Sequence, residues 1–174
     1  MGEPKAIETL YDGFRFRSRL EARWAVFFNA AGIKYQYEPE GFVLQDGTWY
    51  LPDFFIEPRD CENGVGWFVE VKGNYDDPSG LRKAQLLDDV PPEYARGVLV
   101  FTEPLLRQAP GVVYYGSERA PDWNHASLVA CMLGLSHSEY DTARLAALRA
   151  RFEHGETPQN RKAMEENNEP ETDF

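Results

Sequence analysis

With 174 residues, 43% of them hydrophobic and 14% aromatic, the chain can bury one ordinary core and is too rich in core formers for disorder along most of its length. A formal net charge of −11 excludes a plain polycation that grips nucleic acid by phosphate neutralisation alone. Cys61 and Cys131 lie far apart and outside any CxxC, which excludes a zinc site or disulfide framework and fits a reducing compartment.

The opening MGEPKAIETLYDG has neither a basic start nor an apolar run, and no apolar segment approaches ~18 residues. The expectation is a cytoplasmic protein with no membrane partner. Residues 1–37 carry six Lys or Arg against four acids, 38–150 carry nine against 18, and 151–174 three against seven. The basic excess is confined to the front, where Arg15, Arg17, Arg19 and Arg23 cluster.

In chain order, FRFRS alternates Phe14 and Phe16 with Arg15 and Arg17, a short strand or extended lead-in. SRLEARWAVFFNAAG then reads as a helix. Ser18 and Glu21 have capping-box spacing, Leu20, Trp24, Phe27, Phe28 and Ala31 form an apolar face, and Gly32 stops it. IKYQYEPEGFVL and TWYLPDFFIEP flank Gln45-Asp46-Gly47, a hairpin turn. GWFVEVKG is a strand, residues 78–90 have helical spacing, and RGVLVFT is apolar enough for a strand buried on both faces, so a βαβ crossover is expected. GVVYYGS reads as an added edge strand, followed by helices in DWNHASLVACMLGL and SEYDTARLAALRARFEHG. The fold class is α/β in the α+β sense: a mixed sheet with helices against it, over residues 1–155. Residues 156–174 read as an acidic, disordered tail.

Charges stand where core residues are expected in YLPDFFIEPRDCENGVGWFVEVKG. Glu70 and Lys72 are two apart and share a strand face, and pairing of the flanking strands would bring Asp53 beside Glu70. Two carboxylates from adjacent strands suit Mg²⁺, a hard ion that needs only one or two of them plus substrate phosphate oxygens. Lys72 beside them could orient a water or offset transition-state charge.

Pro52-Asp53 followed by Glu70-Val71-Lys72 resembles the PD-(D/E)XK nuclease superfamily. The wider pattern of SRLEARWAVFF, YEPEGF, YLPDFFI and FVEVKG, over residues 14–102, is similar to small phage and bacterial nucleases of that superfamily and to the nuclease subunit of heteromeric transposases. The resemblance implies a restriction-endonuclease-like sheet core with flanking and C-terminal helices. It also implies a catalytic set of Asp53, Glu70, Lys72 and Glu21, and metal ligation by Asp53, Glu70, Glu21 and the Val71 carbonyl. Gln85 matches a glutamine that some relatives carry after the lysine, although Asp89 stands where the RecB-like branch has Tyr.

The bland readings are concrete. Glu21 is where a capping box needs an acid, and Glu70 with Lys72 could be a same-face ion pair. His125, His137 and His154 have no metal-binding spacing, and the four arginines could be a solvated face rather than phosphate contacts. The expected function is a Mg²⁺-dependent DNA endonuclease, with Mn²⁺ able to substitute, acting alone, as a homodimer or within a DNA-processing complex. The rivals are a non-catalytic nuclease-fold module, acting as a subunit or inhibitor, and a plain α/β domain with an accidental motif.

Overall fold

The structure, a computed structural model, describes residues 6–44, 46–59, 65–73, 95–102, 111–115, 118–119 and 125–152. The chain opens with a hairpin of β1 (Thr9–Tyr11) and β2 (Phe14–Phe16), paired antiparallel around Asp12-Gly13. Both turn residues have positive φ, 51° and 81°, the geometry that a two-residue turn between twisted strands requires. The sequence reading has only FRFRS here, as a short strand or extended lead-in; β1 is an addition to it.

Helix α1 (Arg19–Ala31) begins where expected. Ser18 is extended, its side chain accepts the Glu21 amide, and Gly32 at φ 68° closes the helix. Ala22, Trp24, Ala25, Val26, Phe27, Phe28 and Ala31 are all buried, a wider stripe than one apolar face. The sheet lies on one side of this helix and the C-terminal helix on the other. Trp24 stacks on Phe101 at 4.3 Å and donates its indole N–H to the Thr102 carbonyl at 2.7 Å, while Phe27 meets Tyr140 edge-on at 5.3 Å.

The main sheet has six strands in the order β10-β9-β8-β7-β6-β3: β3 (Lys34–Tyr37), β6 (Phe54–Glu57), β7 (Gly66–Val71), β8 (Ala95–Phe101), β9 (Gly111–Tyr115) and β10 (Glu118–Arg119). Among the described residues only β7 and β8 pair in parallel, which makes the sheet mixed and requires a crossover between them. The helix expected over 78–90 falls in that crossover and, with Gln85, lies outside the described residues; so does the tail of 156–174. GVVYYGS forms β9, which is not the edge, because β10 pairs beyond it. Helices α2 (His125–Met132) and α3 (His137–Arg149) complete the fold, so the chain is α+β with C-terminal helices. Among the described residues no helix is long and apolar enough to cross a membrane.

The hairpin expected around Asp46-Gly47 has two stages. Its outer arms, β3 and β6, belong to the main sheet, whereas its inner arms, β4 (Phe42–Val43) and β5 (Trp49–Tyr50), form a separate ladder. The inner ladder folds over the second sheet face, where Leu44 and Tyr50 join Phe68, Ala95, Val98 and Val100, with Phe42 and Phe55 packed against them. The sheet is therefore apolar on both faces, which explains why all six residues of β7 are buried.

Candidate active site

The β6–β7 register sets the site. Phe54 pairs with Val69 and Phe55 with Phe68, so one further step places Asp53 across from Glu70. Phe54 and Val69 point into the core under α1, and Asp53 and Glu70, each one residue further along its strand, point to the other face. Both acids are buried, with 5% and 4% of their surface exposed. Burial at that depth requires compensation.

The compensation is visible for each oxygen. Asp53 Oδ2 accepts the Val71 amide at 2.6 Å and Oδ1 meets the Arg17 guanidinium at 2.5 Å. Glu70 Oε1 lies 2.7 Å from Lys72 Nζ, and Oε2 accepts the Tyr50 hydroxyl. Arg17 is held in turn by Glu38, whose Oε1 is 2.8 Å from Nε. Glu38 itself has φ of 45°, a left-handed conformation costly for a side-chain-bearing residue, and its amide donates to the Asp53 carbonyl at 2.9 Å.

Electrostatics remain unbalanced despite these partners. Burial and the neighbouring Glu70 charge push the Asp53 carboxyl up to about 7, against the opposing pull of the Val71 amide. Burial, reinforced by Glu70, likewise raises the Tyr50 phenol well above its ordinary value, so this hydroxyl stays a proton donor. Two buried carboxylates this close repel each other unless further positive charge arrives.

Arg17, Glu21, Trp49, Tyr50, Asp53, Glu70, Val71 and Lys72 line one cleft of about 300 Å³. The three motif side chains therefore converge, and Glu21 faces the same space. Its bonds nevertheless serve the helix entry: Oε1 accepts the Ser18 hydroxyl at 2.8 Å, and Oε2 accepts the Arg17 amide at 3.1 Å and the Tyr37 hydroxyl at 2.8 Å. Capping and cleft-lining roles coexist in this residue. A larger hollow of about 830 Å³ at the far end of α1 contains the Arg59–Glu139 ion pair and none of the motif residues.

Among the described residues no group of three or more His, Cys, Asp or Glu side chains is arranged to hold a metal ion. Asp53 and Glu70 are the two facing carboxylates that the cleft brings together. Their oxygen chemistry and mutual repulsion fit a hard divalent cation, which needs no third carboxylate when waters and phosphate oxygens complete its shell.

Of the four arginines, Arg17 lines the cleft, with 55% of its side chain exposed. Arg15 is exposed and 3.5 Å from Glu8, and Arg19 and Arg23 are half-buried on α1. The sequence reading misses Tyr37, Glu38 and Tyr50 as partners of the acids. For Tyr37 a signal exists, since KYQY puts Tyr35 and Tyr37 on one strand face; for Glu38 none does. No protein-family model matches the chain, and no curated protein matches it significantly.

Proposed function

We propose that the protein is a Mg²⁺-dependent DNA nuclease of the PD-(D/E)XK type, cutting phosphodiester bonds as an endonuclease. One observation carries the reading: Asp53 and Glu70 stand opposite each other, buried and mutually repelling, in a cleft that also holds Lys72. Asp53, Glu70 and the Val71 carbonyl would hold the ion, with Glu21 near it. The ion, or Mn²⁺ in its place, supplies a more acidic bound water and charge neutralisation at the phosphoryl oxygens.

The chain's own groups do the rest. Lys72 keeps its ammonium against Glu70, where it offsets charge that builds on the phosphate and orients the attacking water. Val71 fixes one Asp53 oxygen through its amide, so the carboxylate presents a defined edge to the cleft. Tyr50 does the same for Glu70 from the overlying ladder. Arg17, 55% exposed along its side chain, neutralises Asp53 and can turn toward a phosphate without unfolding anything.

Incubation with linear, circular and single-stranded DNA in Mg²⁺, Mn²⁺ or EDTA tests the reading. Cleavage of circles by the parent, abolished by EDTA and reduced at least about 100-fold in Asp53→Ala and Lys72→Ala, is the expected result. Equal cleavage by parent and both variants would refute the mechanism. Arg17 and Lys72 already supply each acid with a cation, which favours a second reading, a non-catalytic nuclease-fold module. Metal-independent DNA association without cleavage would select it.

A further inference from the structure

The β4–β5 ladder carries apolar residues on both faces, and only one face is needed by the fold. Tyr50 is buried and Phe42 packs against the sheet, whereas their neighbours Val43 and Trp49, a cross-strand pair, are 68% and 65% exposed. A ladder with one covered face ordinarily turns polar residues outward. Here a tryptophan and a valine face water side by side.

Trp49 is also fixed in place. Its six-membered ring lies against the backbone of Gly41, so closely that a methyl group there would stand 2.2 Å from Cζ2. Gly41 has no left-handed backbone conformation, and the absence of a side chain serves the close approach of the indole. An exposed aromatic ring seated on a glycine loses little freedom when something stacks on its open face.

Its position gives the occupant. Trp49 lines the same cleft as Asp53, Glu70 and Lys72, so a nucleic-acid strand whose phosphate enters that cleft brings its bases to the cleft's lip. The charge balance points the same way, because a chain of net charge −11 gains little from counterion release and needs a source of affinity other than phosphate contacts. We propose that Trp49, seated on Gly41 and flanked by Val43, is a stacking platform for an unpaired or unstacked DNA base beside the cleaved bond. The proposal rests on the nuclease reading of the cleft; base–aromatic stacking is sequence-tolerant and supports a contact of this kind.

The test is tryptophan fluorescence of the full chain titrated with a short single-stranded oligonucleotide and with the matching duplex, in EDTA and in Ca²⁺. Trp49→Phe retains Trp24, Trp67 and Trp123, so the difference between the parent and this variant isolates the signal of the exposed ring. The expected result is quenching in the parent that Trp49→Phe loses, and binding weakened at least about five-fold in Trp49→Ala and in Gly41→Ala, which keeps the indole but removes its seat. Because stacking is not screened, the loss should persist as salt rises.

Equal binding by the parent, Trp49→Ala and Gly41→Ala would overturn the proposal, as would no binding by the parent in either condition; the exposed pair would then suit a protein surface. The two readings fail separately. Quenching through Trp49 without Mg²⁺- or Mn²⁺-dependent cleavage refutes the nuclease and leaves the platform, whereas cleavage with unaltered binding in Trp49→Ala does the reverse.

Discussion

Asp53 is the residue under greatest electrostatic load. Its proton affinity is raised by burial and by Glu70, so in the absence of a divalent ion the folded state holds the proton more tightly than the unfolded chain does. Stability from this group is fully present below pH 3.8, falls as the pH rises toward about 7, and is flat above it. Asp53→Asn keeps an acceptor for the Val71 amide and removes the repulsion, at the cost of the Arg17 ion pair. In EDTA near neutral pH or above, the variant should be more stable than the parent by on the order of 1–3 kcal/mol, a gain that shrinks as the pH falls from about 7 toward 3.8. Urea denaturation across that pH range measures it, and a parent that stays the more stable at every pH would show that Arg17 and Lys72 fully compensate the acids.

How such a site can be read beforehand depends on distance along the chain. Asp53, Glu70 and Lys72 were legible because strand periodicity and antiparallel pairing fix their relation within 20 residues. The Glu38 side chain, by contrast, reaches the site through Arg17, and its left-handed backbone conformation leaves no mark in the local sequence. Arg17 is legible as a basic residue in an alternating segment, but its ion pair spans 36 positions and depends on how β2 meets β6.

At the scale of elements, helix α1 and the strands β7 and β8 follow from their sequences because caps, glycine stops and continuous apolar runs each have one cheap solution. The β1–β2 hairpin does not, although Asp12-Gly13 carries the same turn chemistry as Asp46-Gly47; arms of three residues are too short to display alternation. The same shortness hides the division of the longer hairpin into two ladders.

The β6–β7 pairing that brings Asp53 to Glu70 has an identifiable weak point. Gly66 opens β7 at an irregular step in its pairing with β8, and a methyl group there would stand 2.0 Å from the Ile56 carbonyl oxygen and 2.6 Å from Phe55 Cζ. Backbone cannot yield as a side-chain tip can. Gly66→Ala should therefore cost about 1–3 kcal/mol by overpacking. It should also weaken metal binding at the far end of the same ladder. A thermal melt with and without Mn²⁺ checks both effects, and a variant as stable as the parent would show that the β6–β7 register has slack.

For the whole molecule, the order of layers explains where chemistry can occur. Helix α1, backed by the C-terminal helix α3, covers one sheet face and the β4–β5 ladder covers part of the other, which leaves the cleft at the end of β7 and β6 where Lys72 follows the last β7 residue. Fold class and core were therefore accessible from patterning, because burial on both faces of β7 and β8 demands such a sandwich. The cleft itself was not, since its walls come from five segments between Ala6 and Lys72 whose meeting is a property of the assembled sheet.

The account stands on Asp53 and Glu70 sharing one divalent ion. Calorimetric titration of the metal-free parent, Asp53→Asn and Glu70→Gln with Mn²⁺ measures this without recourse to any substrate. Binding by the parent that each substitution abolishes is the expected result; binding that survives both substitutions, or none in the parent, would contradict it.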